Sequence, residues 1–334
     1  LQEVSWHFHF ENSNYPNSET VSGKFKIINM LLPQFEELLA LRHQAGDLGA
    51  VTTRRVQTPL SGLYASVFRG QGMDFDEVRE YQHGDEIRNI DWRVTARMNK
   101  PYLKVYREER ERNVILCIDS SAYMQFGTRQ TFKTVQAAKV AALLGWSAQT
   151  HADRVGGVVF GQRKLYFFPP SRSHKAFSQL LRHLTLPTPS DELQPTDLKQ
   201  AIHAINRNTT TGALIFLILD VSQIALATLQ QSLSQLHQRH ELVLIGIDDP
   251  ADSELPAVGL VKFIAPDGSE LIVNTDNLSA KQHYHQLWLN HRQQVQLLVK
   301  QWASDFFSIS TQEDVYQSLL THLRQREKLQ QAHR

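Results

Sequence analysis

Two apolar runs, each long enough for one strand and each ended by an aspartate, set the terms for any fold of this chain. Val114-Ile115-Leu116-Cys117-Ile118 stops at Asp119, and Leu214 to Leu219 stops at Asp220. A run with no polar alternation marks a strand covered on both faces, which is the situation of parallel strands flanked by helices. The intervals fit that picture. Helical patterns cover about 131–150, 173–184, 222–239 and 279–304, and a further helix starts at Thr196 and runs to about Asn206 behind a loop holding Pro187, Pro189 and Pro195. Strand patterns cover Val155 to Phe160, Lys164 to Phe168, Glu241 to Ile247 and Phe306 to Ile309, and a last helix spans about 314–328. Val261 to Ile264 and Leu271 to Val273 flank Pro266-Asp267-Gly268-Ser269, a hairpin signal. Buried strands alternating with helices predict an α/β fold, doubly wound around a mostly parallel sheet.

Ahead of this domain the pattern is different. Leu31, Leu32, Phe35, Leu38, Leu39 and Leu41 have helical spacing, and that short helix ends near Gly46. From about Val51 to Arg112 there is no strong periodicity, and Arg, Asp, Glu and Tyr are dense. Three segments are therefore expected: 1–29, a poorly ordered arm or an over-extended start; 30–112, a smaller charged segment packed on the main domain; and 113–330, the α/β domain itself.

Composition removes several function classes. Lys and Arg number 35 against 34 Asp and Glu, so a dedicated nucleic-acid binder, with its basic excess, is not expected. No apolar run approaches the ~18 residues of a membrane helix, and residues 1–29 lack the basic and apolar regions of a signal peptide. Cys117 is the single cysteine, which excludes an intrachain disulfide or a cysteine-based zinc site and fits a cytoplasmic protein. The 15 histidines contain no H-E-x-x-H, and His283 and His285 alternate on a helix as surface residues. Gly70-Gln71-Gly72 lies outside any βαβ unit, and there is no P-loop and no G-x-S-x-G elbow.

In doubly wound sheets ligands bind beyond the carboxyl ends of the strands, where the strand order reverses. Asp119, Ser121, Thr196 and Asp220 would converge there as an all-oxygen site suited to Mg²⁺. Asp119, Ser121 and Thr196 could instead cap helices, as Asp, Ser and Thr commonly do after strands. A second constellation, Arg79, Tyr81, Asp85, Arg88, Asp91, Trp92 and Arg97, reads either as a partner-binding surface rich in interface-favoured residues or as an internal ion-pair network.

The run Gly70 to Tyr81, followed by Gly84-Asp85, Arg88, Ile90-Asp91-Trp92 and Ala96-Arg97, resembles the "domain of unknown function 58" family, and the resemblance extends from about Met30 to the C-terminus. It implies a von Willebrand factor A-like, Rossmann-like domain with a metal-ion-dependent adhesion site. The first motif of that site, D-x-S-x-S, stands here as Asp119-Ser120-Ser121-Ala122-Tyr123, with a tyrosine in place of the second serine. The family's threonine maps onto Thr196 of Pro195-Thr196-Asp197-Leu198, and its later aspartate onto Asp220. The resemblance also implies a partner, a MoxR-type AAA+ ATPase, with which such proteins assemble or remodel complexes. The expectation is a non-enzymatic adaptor that binds protein through a degenerate ion site. Two alternatives stand beside it: a metal-assisted hydrolase using Asp119 and Asp220, and a metal-free interaction scaffold.

Overall fold

The structure, a computed structural model, describes residues 7–8, 32–48, 73–81, 90–98, 100–108, 112–187, 197–264, 270–302 and 305–332. Its main sheet is built from β4 (Asn113–Asp119), β5 (Arg154–Phe160), β6 (Tyr166–Ser171), β7 (Leu214–Leu219), β8 (Glu241–Asp248) and β11 (Asp305–Ser310). The strand order is β11-β8-β7-β4-β5-β6. All neighbours are parallel except β5 and β6. The chain goes from β4 out to β5 on one side and returns to β7 on the other. The order therefore reverses between β4 and β7, as the doubly wound reading requires.

The two apolar runs are the centre of this sheet, and their lack of alternation has a direct cause. Val114, Leu116 and Ile118 of β4 and Leu214, Phe216 and Ile218 of β7 join one buried cluster. Ile115, Cys117, Ile215, Leu217 and Leu219 join another on the opposite face. Successive side chains of a strand point to opposite faces, so both sets must be apolar when helices cover both sides.

The first face is covered chiefly by α4 (Lys133–Thr150), a helix buried along almost its whole length. Gly145 lets Phe177 of α5 (His174–Leu184) lie against it, since a Cβ there would fall 2.1 Å from the phenyl ring. Trp146 meets the same ring edge-on at 4.8 Å. The second face takes α6 (Leu198–Asn208), α7 (Leu226–His237) and α9 (Leu278–Gln301). A final helix, α10 (Val315–Ala332), returns to the first face through Leu319 and Leu323. Among the described residues no helix is long and apolar enough to cross a membrane.

The chain divides into two compact units, residues 1–53 with 112–334, and 54–111. The early helical pair, α1 (Phe35–Ala40) and α2 (Arg42–Ala45), belongs with the α/β unit. Leu38 is buried, and its carbonyl accepts a hydrogen bond from Trp146 Nε1 at 3.0 Å. Lys139 pairs with Glu37 at 2.7 Å. Of residues 1–29 only β1 (His7–Phe8) is described, pairing antiparallel with β9 (Leu260–Ile264), which also pairs with β10 (Glu270–Asn274). The turn predicted at 266–269 lies outside the described residues.

In the charged unit β2 (Met73–Glu80) pairs antiparallel with β3 (Tyr102–Glu108), with a bulge between Phe75 and Glu77. Between them α3 (Trp92–Met98) is capped by Asp91, whose Oδ1 accepts the Arg93 and Val94 N–H groups at 2.9 and 3.3 Å. That β-hairpin frame is not legible in the charge-rich sequence, where a bulge and long polar side chains mask the period-2 alternation.

Candidate functional site

The functional candidates gather at the carboxyl ends of β4, β7 and β8, and each is aimed by the turn that follows its strand. Asp119 is the last residue of β4. Its Oδ1 accepts the Ser121 N–H at 2.8 Å, which turns the chain into the short 3-10 turn Ala122–Met124. Gly161, φ +90°, closes the turn after β5 against this pair. Next to it Gln162 Nε2 donates to Ser120 Oγ at 2.9 Å. Asp119 is buried, and burial pushes its carboxyl up to about 6 against the downward pull of the Ser121 N–H and hydroxyl. The Ser121 hydroxyl lies buried without a hydrogen bond of proper geometry.

Asp220 follows β7 and is arranged otherwise. Its Oδ1 accepts Ser222 N–H and Ser222 Oγ at 2.9 and 2.6 Å, capping a one-turn helix. Its Oδ2 faces Lys133 Nζ at 2.6 Å, and the same ammonium reaches Asp252 Oδ2 at 2.7 Å. Lys133 is 1% exposed. Burial alone would lower its pKa, but the charges of Asp220 and Asp252 win and raise it above the ordinary lysine value. Asp252 is raised in turn, by burial first and by Asp220 as well, against the pull of Lys133. One ammonium is shared by two carboxylates away from water.

A third strand end completes the edge. After β8 come Asp248, which takes both terminal nitrogens of Arg292 at 3.2 and 2.6 Å, and Asp249, the cap of α8 (Pro250–Ser253). Asp249 accepts from Thr128 N–H at 2.9 Å, Thr128 Oγ1 at 2.5 Å, Thr311 Oγ1 at 2.6 Å and Ala251 N–H at 2.9 Å. Those bonds outweigh its burial and hold its carboxyl below the usual range. Its own N–H donates to Asp252 at 2.6 Å, closing a capping box.

Lys133, Asp249 and Asp252 were not foreseen from the sequence. Asp248-Asp249 carried a usable signal, because a largely apolar run, Leu242 to Ile247, ends there just as the other two runs end at Asp119 and Asp220. Lys133 carried none. A lysine at the start of a helix reads as a solvent residue.

Of the four expected ion ligands the structure brings Asp119, Ser121 and Asp220 to one edge, and Thr196 lies outside the described residues. The helix it was expected to open begins at Leu198, and the cap is Asp197, whose side chain accepts Gln200 N–H at 2.8 Å. The Ser121 hydroxyl beside Asp119 would suit an ion. Asp220 would not, since its outer oxygen already holds an ammonium, and a divalent ion beside that charge in a low-dielectric interior is repelled. Among the described residues no group of three His, Cys, Asp or Glu side chains is placed to hold a metal. Among the described members of the set, the outer oxygen of Asp220 thus does not fit direct coordination of Mg²⁺ while it holds Lys133.

In the charged constellation, Asp91 is a helix cap, Trp92 is 67% exposed on α3, and Arg97 is exposed. Arg79 lies on β2 opposite Leu103, and the Tyr81 N–H donates to the Pro101 carbonyl at 2.9 Å. Asp85 and Arg88 lie outside the described residues. His285 is corrected as well: it is half-buried and its Nδ1 lies 3.0 Å from the Ser253 carbonyl, while His283 is exposed.

One consequence is measurable at once. A buried carboxyl whose folded pKa of about 6 exceeds its unfolded value near 3.8 binds an extra proton in the native state between those pH values, so stability falls as pH rises through that window. Asp119→Asn keeps the acceptor for Ser121 N–H and removes the charge. Urea unfolding at pH 7.5 is expected to find it more stable than wild type by about 2 kcal/mol, with the gap closing towards pH 4. A gap independent of pH would show that the charge is not the cause.

A family model described as "Protein of unknown function DUF58" matches residues 77–294. An uncharacterized protein of Mycobacterium tuberculosis, Rv1480, is 26% identical over 257 residues, covering 76% of this chain and 80% of its own. A solved structure of the conserved hypothetical protein BatB from Bacteroides thetaiotaomicron shares 15% identity at a TM-score of 0.42, covering 65% of this chain and 99% of its own. The SpRpn10 VWA domain shares 12% at 0.37, covering 63% and 94%.

Proposed function

The chain belongs to the DUF58 family, and on that premise we propose that it is a non-enzymatic, metal-free interaction scaffold whose docking site is the switch-point edge around Asp119 and Ser121. The observation that carries this reading is the Asp119 carboxyl, raised by its burial and set beside the Ser121 hydroxyl where the strand order reverses. A partner that brings hydrogen-bond donors, from a lysine or arginine side chain or from its backbone, would satisfy both groups at once. The von Willebrand factor A-like motif residues Asp119 and Ser121 support the same edge. Trp92 and Arg97, exposed on α3, offer a second contact surface within the charged unit. The partner proposed is a MoxR-type AAA+ ATPase, and the setting the cytoplasm.

An enzymatic use of the edge finds less support. Asp220, the second carboxylate of the hydrolase alternative, is held by Ser222 and Lys133. Turnover in a phosphoester screen, abolished by Asp220→Ala, would favour that alternative.

The test is biolayer interferometry between the full chain and the purified MoxR-type ATPase of the same organism. Asp119→Ala and Ser121→Ala are each expected to weaken binding by about tenfold or more, as truncations at an interface centre do. Unchanged affinity in both variants sinks the proposal.

A further inference from the structure

At this edge Asp220 and Asp252 share a single ammonium, and Asp119 ends the strand next to that of Asp220. Such an arrangement usually invites a divalent cation, whose role would be to neutralise the carboxylates and to tie together the loops that carry them. Here both tasks are already done by a side chain of the protein.

Lys133 Nζ neutralises Asp220 behind β7 and Asp252 in α8. It lies over the Phe126 ring at 5.6 Å, and its own backbone N–H donates to the Phe126 carbonyl at 2.8 Å, so it also fixes the loop that follows β4. Asp252 Oδ2 accepts the Asp249 N–H as well as the ammonium. Asp249 then fastens Thr128 of the first loop and Thr311 of the loop after β11. The ammonium thus joins the segments after β7 and β8 and meets Phe126 of the loop after β4, and Asp252 and Asp249 extend the network to Thr128 and to Thr311 after β11. We infer that Lys133 is a tethered cation standing in for a metal ion, so that the switch-point edge is assembled without a divalent ion and is closed to one while Lys133 is present. For its biological role the inference rests on the proposed docking use of this edge, but its physical content does not.

Direct titration of the full chain with Mn²⁺, followed by electron paramagnetic resonance, tests it. Wild type is expected to take up no Mn²⁺ in a saturable way. Lys133→Met, which leaves Asp220 and Asp252 without their shared ammonium at the edge that also carries Asp119, is expected to gain saturable one-to-one uptake that is lost again when Asp119→Asn is added. Because Lys133→Met strips two buried carboxylates of their partner, the double variant Lys133→Met/Asp252→Asn serves as a second probe. It preserves the net charge of the cluster, and the same gain through Asp119, Ser121 and Asp220 is expected of it. Saturable uptake by wild type that disappears in Asp119→Asn overturns the inference. So does an absence of uptake in the folded lysine variants, which would mean that Lys133 is not what closes the site. If Mn²⁺ behaves as expected but the ATPase does not bind, the docking proposal fails and the tethered cation stands.

Discussion

Replacing Lys133 by Met is expected to lower the free energy of unfolding by about 3–5 kcal/mol, the range found when one member of a buried ion pair is removed and the other is left uncompensated. Lys133 and Asp220 are each 1% exposed. Removal of the ammonium leaves two carboxylates to be protonated or hydrated inside the protein. The loss is therefore expected to shrink at acid pH, where the carboxyls can take up protons, and to shrink again at neutral pH in the double variant with Asp252→Asn. Urea unfolding in EDTA at pH 7.5 and pH 5 measures both effects. A loss below about 1 kcal/mol, the scale of an exposed pair, would mean that the ammonium is not the countercharge of the cluster.

Gly161→Ala is the second large effect. The residue has φ +90°, where a side chain is strained in any surroundings, and a Cβ there would lie 2.5 Å from Ser121 N and 2.8 Å from Asp119 Oδ1. Those are the two atoms of the hydrogen bond that aims the site. The cost combines backbone strain with an overlap that only displacement of the Asp119–Ser121 turn can relieve, about 2–4 kcal/mol in total. Gly212 supplies the control, because it has φ +91° with nothing within 4 Å of the added Cβ. Gly212→Ala is expected to cost only about 1 kcal/mol of backbone strain. Equal losses in the two variants would show that the contact with the site contributes nothing.

The parts of the fold legible in the sequence are those set by burial on both faces. The runs ending at Asp119 and Asp220 are apolar throughout because helices cover the sheet on each side, and this located the central strands and the switch point between them. Helix boundaries were less legible because caps were shared out differently from the pattern: Asp197 took the role expected near Thr196, and Asp220 capped a separate turn before α7. The charged unit hid its hairpin, since β2 and β3 carry long polar side chains and a bulge breaks their alternation. The site was half legible. Asp119, Ser121 and Asp220 are placed by strand ends, which sequence patterns reveal. Lys133 is placed by the approach of α4 to β7 and α8, a tertiary fact, and it pairs there with Asp220 and Asp252.

The affinity of the chain for its proposed partner, a MoxR-type ATPase, measured in excess EDTA and again in excess Mg²⁺ without nucleotide, bears most directly on the proposed docking edge that carries its own cation. Equal affinities in the two buffers, both lost in Asp119→Ala, are the expected result. Binding that EDTA abolishes and Mg²⁺ restores would contradict it.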